Sequence, residues 1–135
     1  MAKIVEFLLP RAPVSHQSKS AKHKSEWQDY VYGRARQAWK GMPIVNSPLK
    51  FLMIYISEES AQGDINNFVK PVQDALNSCI YADDSLVKDV SAHMRILSEP
   101  NAITGLPYIL KEAIIEGIAC VYVAIYDSIE LKEVL

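Results

Sequence analysis

Apolar residues along this chain follow two rhythms. Over Lys3–Leu9 (KIVEFLL), Leu49–Ile56 (LKFLMIYI) and Ile118–Tyr126 (IACVYVAIY) they form short, dense runs rich in branched and aromatic side chains, which predicts strands. Ser85–Ile96 reads as a further strand, with Leu86, Val90 and Ile96 as core contacts. Elsewhere the spacing is helical. Trp27, Tyr30, Val31, Ala35, Ala38 and Trp39 line one face of a helix over about 26–40, with Ser25 as its N-cap and Gly41 as its stop. Phe68, Val72, Ala75, Leu76 and Cys79 form the stripe of a second helix, over about 66–79. Pro71 falls in its first turn, where a missing N–H costs little. A third helix is predicted over 107–116, ended by Gly117, and the tail SIELKEVL fits neither rhythm.

Strands and helices therefore alternate, which predicts an α/β (α+β) fold: a small mixed β-sheet packed with helices. With 135 residues, half of them hydrophobic, the chain reads as one domain over 1–135 that buries its own core. The opening MAKIVEFLLPRAP holds only a short apolar run and no small-residue cleavage site, so it reads as a strand rather than a leader. No apolar run approaches the roughly 20 residues of a membrane span. Cys79 and Cys120 stand apart in apolar surroundings, the pattern of reduced, buried thiols in a cytoplasmic protein.

Charge changes the picture. The net charge is −2, yet residues 1–50 hold nine Lys and Arg against three acids, while the remainder holds five against thirteen. A basic half beside an acidic half suggests that one part meets a polyanion. The serine-rich, basic stretch 11–24 reads as a loop. Within it Ser15 and Gln17 suit backbone or base-edge contacts, and Lys19, Lys22 and Lys24 suit phosphates. A merely solvated loop is the alternative. His16 and His23 lack a second His or Cys at ligand spacing, His93 reads as a strand-surface residue, and Trp27 and Trp39 read as core anchors rather than base-stacking platforms.

The candidate chemistry lies in residues 63–84, GDINNFVKPVQDALNSCIYADD. Asp64 and Asn66, two apart in extended chain, point the same way. Asp83 and Asp84 follow the helix. A helix of about 13 residues spans roughly 20 Å, so Asp84 reaches Asp64 only if the chain folds back. Were the oxygens to meet, hard donors without imidazole or thiolate would favour Mg²⁺, with Mn²⁺ as substitute, over zinc. Lys70, one turn into the helix, would offset charge developing on a phosphoryl group. The competing reading is structural: Asp64 or Asn66 caps the helix, Asp74 is a solvated acid paired i,i+4 with Lys70, and Asp83-Asp84-Ser85 is a plain turn. An EF-hand is excluded, because Phe68 occupies the third ligand position.

The string Gly63-Asp64-Ile65-Asn66-Asn67-Phe68-Val69-Lys70-Pro71, then Asp74-Ala75-Leu76-Asn77, then Tyr81-Ala82-Asp83-Asp84-Ser85-Leu86-Val87 resembles the RusA family of Holliday junction resolvases. Pro13-Val14-Ser15 and Gln17 resemble that family's N-terminal loop, and the helix–strand ending over 107–126 fits as well. The resemblance implies a homodimer that binds four-way DNA junctions and hydrolyses phosphodiesters with Mg²⁺ in paired, symmetric cuts. It implies that Asp64 and Asp84 are the metal-binding catalytic aspartates, with Lys70 as the essential lysine. Asp83 and Asn66 are further metal contributors. Asn67 joins Ser15, Gln17, Lys19, Lys22 and Lys24 as a candidate DNA contact. Asn66 stands where the family pattern has aspartate; its amide oxygen can coordinate but brings no charge. Three readings follow: an active resolvase, a catalytically weak or inactive junction-binding protein, and a partner-binding domain whose acids only cap helices.

Overall fold

A computed structural model describes residues 2–59 and 63–135. Four strands, β1 (Lys3–Leu9), β2 (Leu49–Ser57), β3 (Val87–Ile96) and β4 (Cys120–Asp127), form a mixed sheet in the order β1-β4-β2-β3. β4 pairs antiparallel with both β1 and β2, whereas β2 and β3 run parallel. Parallel neighbours need a long crossover, and α2 (Asn66–Leu76) lies in the connection between them. The other helices are α1 (Ala21–Ala38), α3 (Tyr108–Glu116) and the short α4 (Leu131–Val134). This is the α+β fold with a mixed sheet and helices that the sequence predicts.

The sheet is covered on both faces. Val121, Val123 and Ile125 of β4 join Val5, Phe7 and Leu9 of β1 and Phe51, Met53 and Tyr55 of β2 in one core with α1 and α2. The alternate residues Cys120, Tyr122 and Ala124 pack with Ile56 against Leu110 and Ala113 of α3. A central strand buried on both sides has no polar face to show, which is why IACVYVAIY is apolar throughout rather than alternating. The stripe of α2 is buried as expected, with Phe68, Val72, Ala75 and Leu76 joined by Val69 and Pro71. β1 is an edge strand, and the Arg34 guanidinium of α1 donates twice to its Leu8 carbonyl, at 3.2 and 2.9 Å.

Several boundaries differ from those predicted. α1 begins at Ala21, not near 26, and its N-cap is Ser20, whose hydroxyl accepts the His23 N–H at 3.1 Å. Its first turn is polar and solvent-facing, so no apolar period marks it. Lys22, His23 and Lys24 are therefore helical. The helix also ends before Gly41, and α2 ends at Leu76 before Cys79. β3 starts at Val87, because a single 3-10 turn occupies Asp84–Leu86. Val90, expected in the core, is 55% exposed on that outer strand.

Outside the helices of the main core, the Glu6 carboxylate accepts hydrogen bonds from the buried Tyr122 hydroxyl and from Lys3. Partial burial pushes the Glu6 carboxyl up, but the bonds from Tyr122 and Lys3 outweigh it and hold the group below its ordinary value. A depressed carboxyl adds stability above its unfolded pKa, near 4.3, and loses it as pH falls through the folded value. Glu6→Gln should therefore flatten the acid limb of a stability–pH curve followed by urea denaturation between about pH 5 and 2. An acid limb of unchanged slope would show that this network carries no proton linkage.

Candidate active site and basic loop

The segment entering α2 is set by its backbone. Gly63 adopts φ +91, a left-handed conformation suited to glycine, immediately before Asp64. The Asp64 carbonyl accepts the Asn67 N–H at 3.0 Å, and the Ile65 carbonyl accepts those of Phe68 and Val69. Ile65 sits at the cap position with no side-chain cap bond. Neither Asp64 nor Asn66 caps the helix through its side chain, and both are exposed.

The N-terminal loop is brought to this point by one backbone bond: the His16 N–H donates to the Asn67 carbonyl at 2.7 Å. The loop is otherwise folded by its serines. The Ser15 hydroxyl accepts the Gln17 N–H at 3.1 Å, the Ser15 carbonyl accepts that of Ser18, and the Ser18 hydroxyl accepts that of Ser20. Val14 packs on the main core. Gln17, Lys19 and Lys22 are left exposed, whereas Ser15, Lys24 and Asn67 are half-buried. Lys22 lies 3.9 Å from Glu26, a long, solvent-screened pair.

Lys70 lies one turn further along α2, exposed, with its ammonium 2.9 Å from the Asp74 carboxylate. That hydrogen bond, then the charge of Asp74, then the charge of Asp84 raise the Lys70 pKa; slight desolvation works against them. The lysine is firmly protonated at neutral pH. Asp74 is half-buried rather than fully solvated, and it holds Lys70 in the i,i+4 pair that the sequence predicts.

After α2 the chain turns back on itself. The Ser78 N–H donates to the Tyr81 carbonyl, Val45 brackets the turn with bonds to Ile80 and Ala82, and the buried Tyr81 hydroxyl donates to the Gln73 carbonyl at 2.8 Å. Burial raises the Tyr81 pKa, and the charges of Asp84 and Asp74 raise it further. Asp83 does a different job. Its carboxylate accepts the Ser85 N–H at 3.0 Å and opens the 3-10 turn, and that bond holds its pKa below the ordinary value.

The donors fit a hard divalent cation in kind, being carboxylate and amide oxygens. Among the described residues, however, no group of three or more His, Cys, Asp or Glu side chains is gathered to hold a metal. Asn66 offers an amide oxygen that carries no charge. Any ion held here would take much of its shell from water and substrate phosphate.

His16 and His23 are exposed, and His93 is exposed on β3, bonded to Ser91 at 2.8 Å. Trp27 is buried in the core as expected, while Trp39 is only half-buried. Cys120 is buried, which raises its thiol pKa to about 11, and Cys79 is half-buried. Among the described residues no helix is long and apolar enough to cross a membrane.

Comparison with curated proteins gives no match. The family described as Endodeoxyribonuclease RusA matches residues 10–104, from the N-terminal loop through β3 into the loop before α3, and so includes Asp64, Asn66, Lys70 and Asp84. That family acts on branched Holliday-junction DNA and generally depends on divalent metal. The match spans well over half of the chain, and it falls on the segments that the His16–Asn67 bond and the Tyr81 turn hold against α2. The chain belongs to the RusA family of endodeoxyribonucleases and is a nuclease of the Holliday junction resolvase class.

Proposed function

We propose that this protein cuts four-way DNA junctions by Mg²⁺-dependent phosphodiester hydrolysis, with Mn²⁺ as substitute, through Asp64, Asn66, Lys70 and Asp84. The observation that carries the proposal is the family match over residues 10–104, which includes Asp64, Asn66, Lys70 and Asp84. The whole chain, 1–135, acts as one cytoplasmic domain and pairs with a second copy, so that two sites make symmetric cuts.

Asp64 and Asp84 supply carboxylate oxygens, and Asn66 supplies a neutral one. Asp83 chiefly shapes the loop, with one carboxylate oxygen engaged by Ser85 and the other left for the site. The ion, when bound, supplies Lewis acidity and a more acidic water. Lys70 keeps its proton on Nζ and presents positive charge to the phosphoryl oxygens; on engaging DNA it exchanges Asp74 for phosphate. Lys19, Lys22 and Lys24 neutralise phosphates of the arms, and Ser15, Gln17 and Asn67 position the strand beside Asp64. A second reading, junction binding with weak or no cutting, draws support from the neutral Asn66 oxygen and from the lack, among the described residues, of any gathered group of three or more His, Cys, Asp or Glu side chains.

With a labelled synthetic junction and Mg²⁺ or Mn²⁺, the protein should give paired nicks. Asp64→Ala should slow nicking by about a hundredfold or more, as the loss of several kcal/mol of metal-borne stabilisation requires, while junction affinity in a gel-shift assay holds or rises. Normal cutting by that variant would remove Asp64 from the mechanism. Asn66→Asp restores a charge to the site and should lower the Mg²⁺ concentration needed for half-maximal nicking. A wild-type protein that binds junctions without nicking them, with cutting switched on by Asn66→Asp, would establish the second reading. Retention of neither junction nor duplex at low salt would defeat both.

A further inference from the structure

At the C-terminal end of α1 lies a hollow of about 260 Å³ whose lining includes Tyr32, Arg36, Trp39, Lys40, Met42 and Cys79. It holds two cations and no carboxylate. Large apolar side chains stand open beside them: Tyr32 is 42% exposed, Met42 55% and Ile44 50%. Three such residues left in solvent at one concave place are more than the scattered exposure of an ordinary surface. The floor is fixed. Trp39 donates its indole N–H to the Pro43 carbonyl at 3.0 Å, and Arg36 donates to the Tyr32 hydroxyl at 3.2 Å with its guanidinium 5.8 Å from that ring's centre.

The hollow adjoins the turn that carries the acidic pair. Ser78 and Cys79 form its far wall, and Val45, next to the lining residue Ile44, bonds to Ile80 and Ala82 just before Asp83 and Asp84. An anionic strand passing that turn would meet Arg36 and Lys40 next. Cations beside an open aromatic face suit single-stranded nucleic acid, in which phosphates need neutralising and unpaired bases need a surface to stack on.

Resting on the nuclease reading above, we propose that this hollow is a second DNA subsite, in which Arg36 and Lys40 hold phosphates of an unpaired strand and Tyr32, with Met42 beside it, takes one of its bases. The subsite is separate from the loop at 15–24, which meets the opposite end of α2 through Asn67. It would let the protein grip strand that has left the duplex near a branch point, as well as the paired arms.

The test is equilibrium binding of a fluorescein-labelled oligothymidylate and of a four-way junction over a range of salt concentrations. It compares the wild type, Arg36→Gln/Lys40→Gln and Tyr32→Ala, with folding checked by circular dichroism. Each single-strand phosphate contact contributes about 0.7 to the slope of log K against log salt. The double variant should therefore lose about 1.4 of slope on the oligonucleotide. Tyr32→Ala should weaken oligonucleotide binding by about tenfold, within the range for loss of one base–aromatic stack, and leave the slope unchanged. If the double variant loses its fold, Lys40→Gln alone, an exposed residue beyond the helix end, should lose half as much slope. A wild-type slope in the charge variants, with junction nicking intact, overturns the subsite and spares the nuclease reading. A wild-type protein that retains no DNA of either kind overturns both.

Discussion

The arrangement of the site depends on one buried residue on the return path from α2. Tyr81 is sealed in the main core, and its hydroxyl still finds a partner in the Gln73 carbonyl of the helix it has just left. A buried hydroxyl without such a partner would be costly, so the bond and the burial select one conformation for the turn. In that conformation the chain doubles back, Val45 brackets it from outside, and Asp83 and Asp84 follow directly at the 3-10 turn.

The second requirement is met at the other end of α2. A basic loop must lie near the acidic segment without neutralising it. Backbone chemistry achieves this: the His16 N–H reaches the Asn67 carbonyl, and three serines fold the loop, so its position uses none of the lysines. Lys19 and Lys22 remain free to face a polyanion. Lys70, by contrast, is held by Asp74 in an exposed pair that water and salt screen, so a phosphate can replace the partner.

Much of this was legible in the sequence because the strongest signals are local. The runs at 49–56 and 118–126 and the stripe Phe68, Val72, Ala75, Leu76 had to be buried, and they are. The start of α1 was not legible, since Ala21 to Glu26 carry no apolar period and the capping Ser20 sits among other serines. The competing structural reading also met particular residues. Asp83 does serve a turn, as that reading allowed, while Asp64 and Asn66 do not cap α2 by their side chains. The strand order β1-β4-β2-β3 and the hollow beside Trp39 join residues far apart in the chain, so no local pattern could announce them. The specific spacing of Asp64, Asn66, Lys70 and Asp84 carried the family resemblance that the match over 10–104 upholds.

Asn66 offers a neutral amide oxygen, which makes the two aspartates the weight-bearing pair of the proposed chemistry. Electron paramagnetic resonance of Mn²⁺ titrated into the protein with junction DNA tests that pair most directly. The account predicts a protein-bound signal in the wild type that disappears in Asp64→Asn and equally in Asp84→Asn. A bound signal of wild-type strength in either variant would contradict it, because the ion would then not depend on both carboxylates.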